Sequence, residues 1–164
     1  VRQLVDPDTG EVFYEEQILR RPDEIVKVFR PVGRSSKFVK IKASQKAKRR
    51  LRKLSLAEAG FLLKISLYAS EGTNLLEGDN ERGQKGTPLT VKDLARIANC
   101  SYPTARKIVK ILIELQVLRR THLEGRSVLA INPLYSLNGK TAEAWLLQLF
   151  KQEITEAGED PNSE

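Results

Sequence analysis

Leu89-Thr90-Val91-Lys92-Asp93-Leu94-Ala95, a break at Asn99-Cys100-Ser101, and the run from Pro103 to Leu115 form the stretch whose reading decides the fold. Thr90 is suited to cap a helix, and Asp93 stands three residues on, where its carboxylate can return a hydrogen bond. The helix it opens runs through Ala98 with Val91, Leu94, Ala95 and Ala98 as its inner face. Ser101 is the second cap, and Pro103 sits in a first turn where its missing N–H costs nothing. Ala105, Ile108, Leu112 and Leu115 then recur at the spacing of one buried face. Ala105 is small, as closely crossing helices require at their nearest approach.

Two short runs follow, Val117 to Thr121 and Ser127 to Ile131, separated by Leu123-Glu124-Gly125-Arg126. Helix, tight turn, helix and hairpin is the order of a winged helix-turn-helix, whose second helix enters a DNA major groove. The expected class is therefore mainly α with small β: a winged helix-turn-helix domain with an N-terminal β-hairpin extension and a C-terminal helix.

Working outward, Ser55-Leu56-Ala57-Glu58 fits a capping box. The helix after it, Leu56 to Ala69, is expected to turn Leu56, Ala59, Leu63 and Leu67 inward, with Leu62, Ile65 and Ala69 widening the stripe. Residues 71–88 carry four glycines and read as a long loop, mobile or functional, with Leu75-Leu76 as a short edge strand. Upstream, Leu4-Val5 and Val12-Phe13-Tyr14 flank the turn Asp6-Pro7-Asp8-Thr9-Gly10 and predict a hairpin. Pro22-Asp23-Glu24 is compatible with a helical turn, but β-branched residues favour a strand over Ile25 to Phe29. Arg30 to Ser36 reads as a loop, and Lys37 to Lys42 alternates again with Phe38 on its apolar side. Downstream, Thr141 is expected to cap one helix to about Glu156. Its stripe of Ala142, Trp145, Leu146, Leu149 and Phe150 either closes the core or makes a homodimer seam. The resulting division is 1–45 as β extension and basic arm, 46–140 as the DNA-binding domain, 141–157 as the C-terminal helix, and 158–164 as a disordered acidic tail.

The 164 residues carry a formal charge of +7, and 40% of them are apolar, enough for a real core. Residues 20–53 hold half of the Lys and Arg but only two acids, Asp23 and Glu24, so a polyanionic partner is favoured. Lys46, Lys48, Arg49, Arg50, Arg52 and Lys53 fall within eight positions and read either as a solvated face or as a phosphate-contacting patch. On the second helix the outward side, by subtraction, holds Tyr102, Thr104, Arg106, Lys107 and Lys110, with Ser101 at its positive N-terminus. Arg and Lys donate to guanine O6 and N7, and Arg106 is the first choice for base readout. At the hairpin, Arg119, His122 and Arg126 are candidate wing contacts to DNA; Glu124 reads as an ordinary tip residue.

Other classes find little support. One Cys and one His leave a metal centre almost without ligands, and no cofactor is expected. No P-loop, paired Cys or nucleophile elbow is present, so an enzyme is not expected. No apolar run approaches a bilayer span and no secretory signal opens the chain, so no membrane partner and a cytoplasmic location are expected.

The chain also resembles the RepL-type plasmid replication proteins of Gram-positive bacteria, which are winged-helix initiators. The likeness rests on Thr9-Gly10-Glu11-Val12, Lys37-Phe38-Val39-Lys40, Leu54 to Glu58, Leu94 to Leu115, and Ile131-Asn132-Pro133 with Gly139-Lys140. Gln116 departs from it, standing where glycine is usual at the end of the recognition helix, and so does the long 71–88 loop. The resemblance implies binding of origin DNA to start plasmid or phage replication, with host replication proteins as further partners. By position it places the DNA contacts at Ser101 to Lys110 and around Arg126. The rivals are a MarR-like transcriptional repressor on the same fold and a winged-helix module that binds only proteins.

Overall fold

The computed structural model describes residues 2–5, 12–17, 26–28, 37–81 and 84–163. The chain divides into two compact units, Val1–Ser36 and Lys37–Glu164. In the first, β1 (Arg2–Val5), β2 (Val12–Gln17) and β3 (Val26–Val28) pair antiparallel in that order. Leu4 faces Tyr14 and Glu16 faces Lys27 in the ladder. The expected hairpin and the strand near Val26 are thus present. The turn at Asp6 to Gly10, the Pro22-Asp23-Glu24 turn and the Arg30 to Ser36 loop lie outside the described residues.

The second unit runs β4 (Val39–Lys40), α1 (Gln45–Leu51), α2 (Leu56–Ser66), α3 (Val91–Ala98), α4 (Tyr102–Glu114), β5 (Leu118–Leu123), β6 (Arg126–Ile131), β7 (Leu137–Asn138), α5 (Ala144–Leu149) and α6 (Lys151–Ala157). Six helices and small antiparallel sheets make it a mixed α/β unit among the described residues. Residues 37–45, grouped by sequence with the N-terminal extension, belong here, because Val39 and Lys40 pair with Asn138 and Leu137. Phe38 is 45% exposed and is not the inward side of that strand.

Local chemistry explains the helix starts. Ser55 and Glu58 close a capping box on α2, at 2.7 Å from the Ser55 N–H to Glu58 Oε2. Thr90 and Asp93 do the same on α3, with the Thr90 N–H donating to Asp93 at 2.8 Å. Burial acts against ionisation of Asp93, but the hydrogen bonds from Thr90 and the charge of Arg96 hold its carboxyl below the ordinary value. Asn99 then takes a left-handed conformation, φ 57°, and ends α3. Lys64 donates to the Ala98 carbonyl at 2.8 Å, placing a cation at that helix end.

β6 organises the core because both of its faces are covered. Leu129 and Ile131 pack with α2, α3 and α4 through Leu62, Ile65, Leu94, Ala105 and Leu112. Val128 and Ala130 alternate to the other face and pack with Leu75, Leu137, Ala142, Leu146 and Phe150. Leu146 and Phe150 are fully buried there, each contributing about 1.5–3 kcal/mol. The C-terminal stripe therefore closes this unit's own core. It is not one helix: the chain bends at Phe150, φ −109°, between α5 and α6, and Glu143 rather than Thr141 stands at the N-cap.

Two further expectations are corrected, and one at Leu75-Leu76 is met. In α2 the buried residues are Phe61, Leu62, Ile65 and Ser66, whereas Leu56, Leu63 and Leu67 lie at the surface. The expected pairing at Leu75-Leu76 is present as isolated bridges: Leu75 bridges Ala130, and the Leu76 N–H donates to the Leu129 carbonyl at 2.9 Å. Asn74 anchors them from full burial, donating to the carbonyls of Ile131 and Ser136 and accepting from the Asn138 N–H. Finally, residues 158–163 are held in place. Asn162 Oδ1 accepts from the Ala142 N–H at 2.6 Å, and Glu159 pairs with Arg50 at 2.8 Å.

Candidate nucleic-acid interface

α4 is presented by the elements around it. Ala105, Ile108, Val109 and Leu112 bury one side of the helix against α2 and α3, leaving Tyr102, Pro103, Thr104, Arg106, Lys107 and Lys110 at the surface. Ser101 Oγ caps the helix, accepting from the Thr104 N–H at 3.3 Å and sharing a 2.8 Å hydrogen bond with the Thr104 hydroxyl. Both hydroxyls are thus committed to the cap, although both residues are exposed. At the far end Gln116 takes φ 60°, so the departure from glycine leaves the left-handed turn intact. Asn132 holds that turn, its Nδ2 donating to the Gln116 carbonyl at 2.9 Å and its Oδ1 accepting from the Leu134 N–H. The chain can then enter β5 beside α4.

A groove of about 910 Å³ runs along the outer side of α4. Val91, Val109 and Ile113 supply its apolar lining, and its charged lining is mostly cationic: Arg106, Lys107 and Lys110 from α4 and Arg120 from β5, against the single acid Glu114. Among the described residues Arg106 and Lys107 make no ion pair or hydrogen bond. Lys110 has only an exposed contact to Glu114 at 3.9 Å, which is worth little in water. Arg120 donates to Ser127 Oγ at 3.2 Å. Four cations on an open groove, three of them on one helix face, is an arrangement that attracts a polyanion.

No family model matches this chain. Nor does any curated protein or solved structure. The residues themselves therefore carry the reading.

Not every expected contact residue is available. Arg119 is turned away from the groove: it hydrogen-bonds the buried Glu153 and the Leu149 carbonyl, and its guanidinium lies 5.0 Å from the Phe150 ring centroid. It ties the hairpin to α5 and α6 and is not a wing contact. His122 and Arg126 face each other's neighbours near the tip, both exposed. Arg120, which the sequence reading left off the site, takes the place given to Arg119. Successive strand residues point to opposite faces, so one of two adjacent arginines had to face α4.

The basic run is also divided. Lys46 donates to the carbonyls of Ala157 and Gly158 at the end of α6, at 3.0 and 3.3 Å. Arg50 holds Glu159 with both Nη atoms, donates to the Leu134 carbonyl and lies 5.8 Å from the Tyr135 ring centroid. The hydrogen bond from Arg50 is the first cause holding the Glu159 carboxyl below its ordinary value; burial opposes it, and the charges of Arg50, Lys46 and Lys42 add to it. Burial raises the Tyr135 hydroxyl, with Arg50 opposing. Only Lys48, Arg49, Arg52 and Lys53 remain exposed without a partner among the described residues. Among those residues no three His, Cys, Asp or Glu side chains group as metal ligands, and no helix is long and apolar enough to cross a membrane.

Proposed function

We propose that the second unit binds duplex DNA sequence-specifically, laying the outer side of α4 in the major groove with the β5–β6 hairpin beside it, as winged helix-turn-helix proteins do. The observation that carries this is the groove lined by Arg106, Lys107 and Lys110 of α4 and Arg120 of β5, its two foremost cations unclaimed by the protein. Base readout falls to Arg106, and Tyr102, Lys107 and Lys110 share base and phosphate roles. Arg120 and Arg126 follow the flanking backbone. The bridge from Leu75 to Ala130 on β6 supports the winged arrangement, since it seats a short extended segment beside the two-stranded hairpin.

The biological role we propose is initiation at a plasmid or phage origin, which rests on the likeness of the flanking segments to RepL-type proteins. Asn132, part of that likeness, holds the turn that ends α4 by donating to the Gln116 carbonyl.

Footprinting on the replicon that carries the gene tests the role. Protection of iterated direct repeats is expected; a single palindrome in a promoter would instead make the protein a repressor. Salt titration tests the contact itself. The logarithm of affinity should fall with the logarithm of salt by about 0.9 per phosphate neutralised. A salt-independent or absent duplex affinity would leave only a protein-binding module.

A further inference from the structure

Leu56, Leu67 and Leu63 are 91%, 66% and 54% exposed, more than any other large apolar side chain among the described residues. All three stand on α2, and none belongs to a core cluster. Leu67, the C-cap, keeps helical backbone at φ −67° and ψ −17°, so the helical spacing runs through it. At 3.6 residues per turn, Leu56, Gly60, Leu63 and Leu67 share about 60° of the helix surface. Scattered exposed leucines are ordinary, but three aligned on one helix mark a contact surface. The C-terminal stripe is spent on the unit's own core, and this one is not.

Two features say what covers it. The first is a spacing that reads the same from either end: steps of four, three and four residues link Leu56, Gly60, Leu63 and Leu67. Two copies of α2 laid antiparallel about a two-fold axis at the middle of the stripe therefore meet in register. Leu56 of one copy faces Leu67 of the other, and Leu63 faces Gly60. Such reciprocity is what an isologous interface requires, whereas a foreign partner imposes no such condition. Gly60 supplies the fit. A Cβ there would meet no atom within 4 Å, so the glycine leaves a notch among the leucines where Leu63 of the other copy inserts as a knob. The second feature is charge. The chain carries +7, so like charges oppose self-association over much of its surface. On this side of α2 the one ionisable side chain is Lys64, and its ammonium is engaged by the Ala98 carbonyl at 2.8 Å. An acidic or basic peptide would find no free counter-charge here, and a second copy needs none.

We propose that α2 is a homodimer seam, two copies packing antiparallel through Leu56, Gly60, Leu63 and Leu67. The proposal does not rest on DNA binding. A seam of this length spans about 18 Å. That is short for a permanent dimer, so association is reversible and follows concentration.

Sedimentation velocity of the full chain from about 10 μM to about 1 mM tests this. The apparent mass should rise from one chain towards two. Leu63→Glu should weaken association by about tenfold or more and leave the melting temperature unchanged, since the side chain lies at the surface. Gly60→Leu is the sharper variant. It fills the notch and should weaken association as much, whereas a merely sticky surface would associate more strongly with an added leucine. Should either variant fail to fold, methyl NMR of the unaltered chain on dilution replaces it, and the signals of Leu56, Leu63 and Leu67 should shift with concentration. A single-chain mass throughout would overturn the proposal and leave the stripe to a different protein. Association indifferent to both substitutions, stronger association in Gly60→Leu, or concentration-dependent shifts confined to other methyls would each overturn it as well.

Discussion

α1 and α4 are both strongly basic helices, yet they spend their charge differently. On α1, Lys46 and Arg50 stand four residues apart on one face and both are engaged by their own chain, one capping α6 at the surface and the other pairing with Glu159. On α4, Arg106 and Lys107 meet nothing of their own chain among the described residues. The two helices show that cation density along a sequence does not measure what is available to a ligand. Availability depends on whether the fold brings a carboxylate or a row of helix-end carbonyls to the same place.

The same contrast occurs between neighbours. Arg119 and Arg120 are adjacent on β5, but one binds Glu153 and the other lines the α4 groove. Arg119→Ala should produce the largest loss of stability here, about 2–4 kcal/mol, because it leaves the buried Glu153 carboxylate uncompensated. Urea titration would read it, and Arg120→Ala should shift the same curve by less than about 0.5 kcal/mol. Equal losses would erase the distinction between the two arginines.

Next in size is the Arg50–Glu159 pair. Glu159→Gln should cost about 1.5–3 kcal/mol at neutral pH, the value of hydrogen bonds to a charged group. The folded-state carboxyl lies below its ordinary value of 4.5. Its stabilisation is therefore fully present above that value and is lost as pH falls through the lower, folded one. Melting the parent chain and Glu159→Gln from neutral to acid pH should show their difference shrink to nothing; a constant difference would mean the ionised pair is not the cause.

A smaller effect sharpens the comparison from the other side. Gln116 is exposed and held at φ 60°, so Gln116→Gly should stabilise by about 0.5–1 kcal/mol. Duplex affinity should stay unchanged, since Gln116 shapes the turn and lies outside the groove. Smallest is Lys48→Ala on α1: no change in melting, and a salt slope lower by at most about 1 if Lys48 touches phosphate.

Much of α3, α4 and the hairpin was legible in the sequence because their signals are local. Thr90 with Asp93, Ser101 with Pro103, and Glu124-Gly125 mark boundaries within four residues of where their effect falls. The faces of α3 and α4 were legible too, since charged residues alternate there with apolar ones. α2 offered no such contrast. It is apolar almost all round, so Leu56, Leu63 and Leu67 looked as fit for burial as Phe61 and Ile65, and only the position of β6 decides between them. The fate of the basic run was illegible for another reason: Glu159 is 109 residues from Arg50, and Glu153 is 34 from Arg119. Such pairings depend on how α6 returns, and the bend at Phe150 that sets it has no glycine or proline to announce it.

The most direct measurement is duplex affinity of Arg106→Ala by fluorescence anisotropy, on the footprinted site and on a random duplex of equal length. The account predicts a loss of about 1–3 kcal/mol on the site, little loss on the random duplex, and an unchanged melting temperature. Unaltered affinity on both would contradict the claim that the outer side of α4 reads DNA.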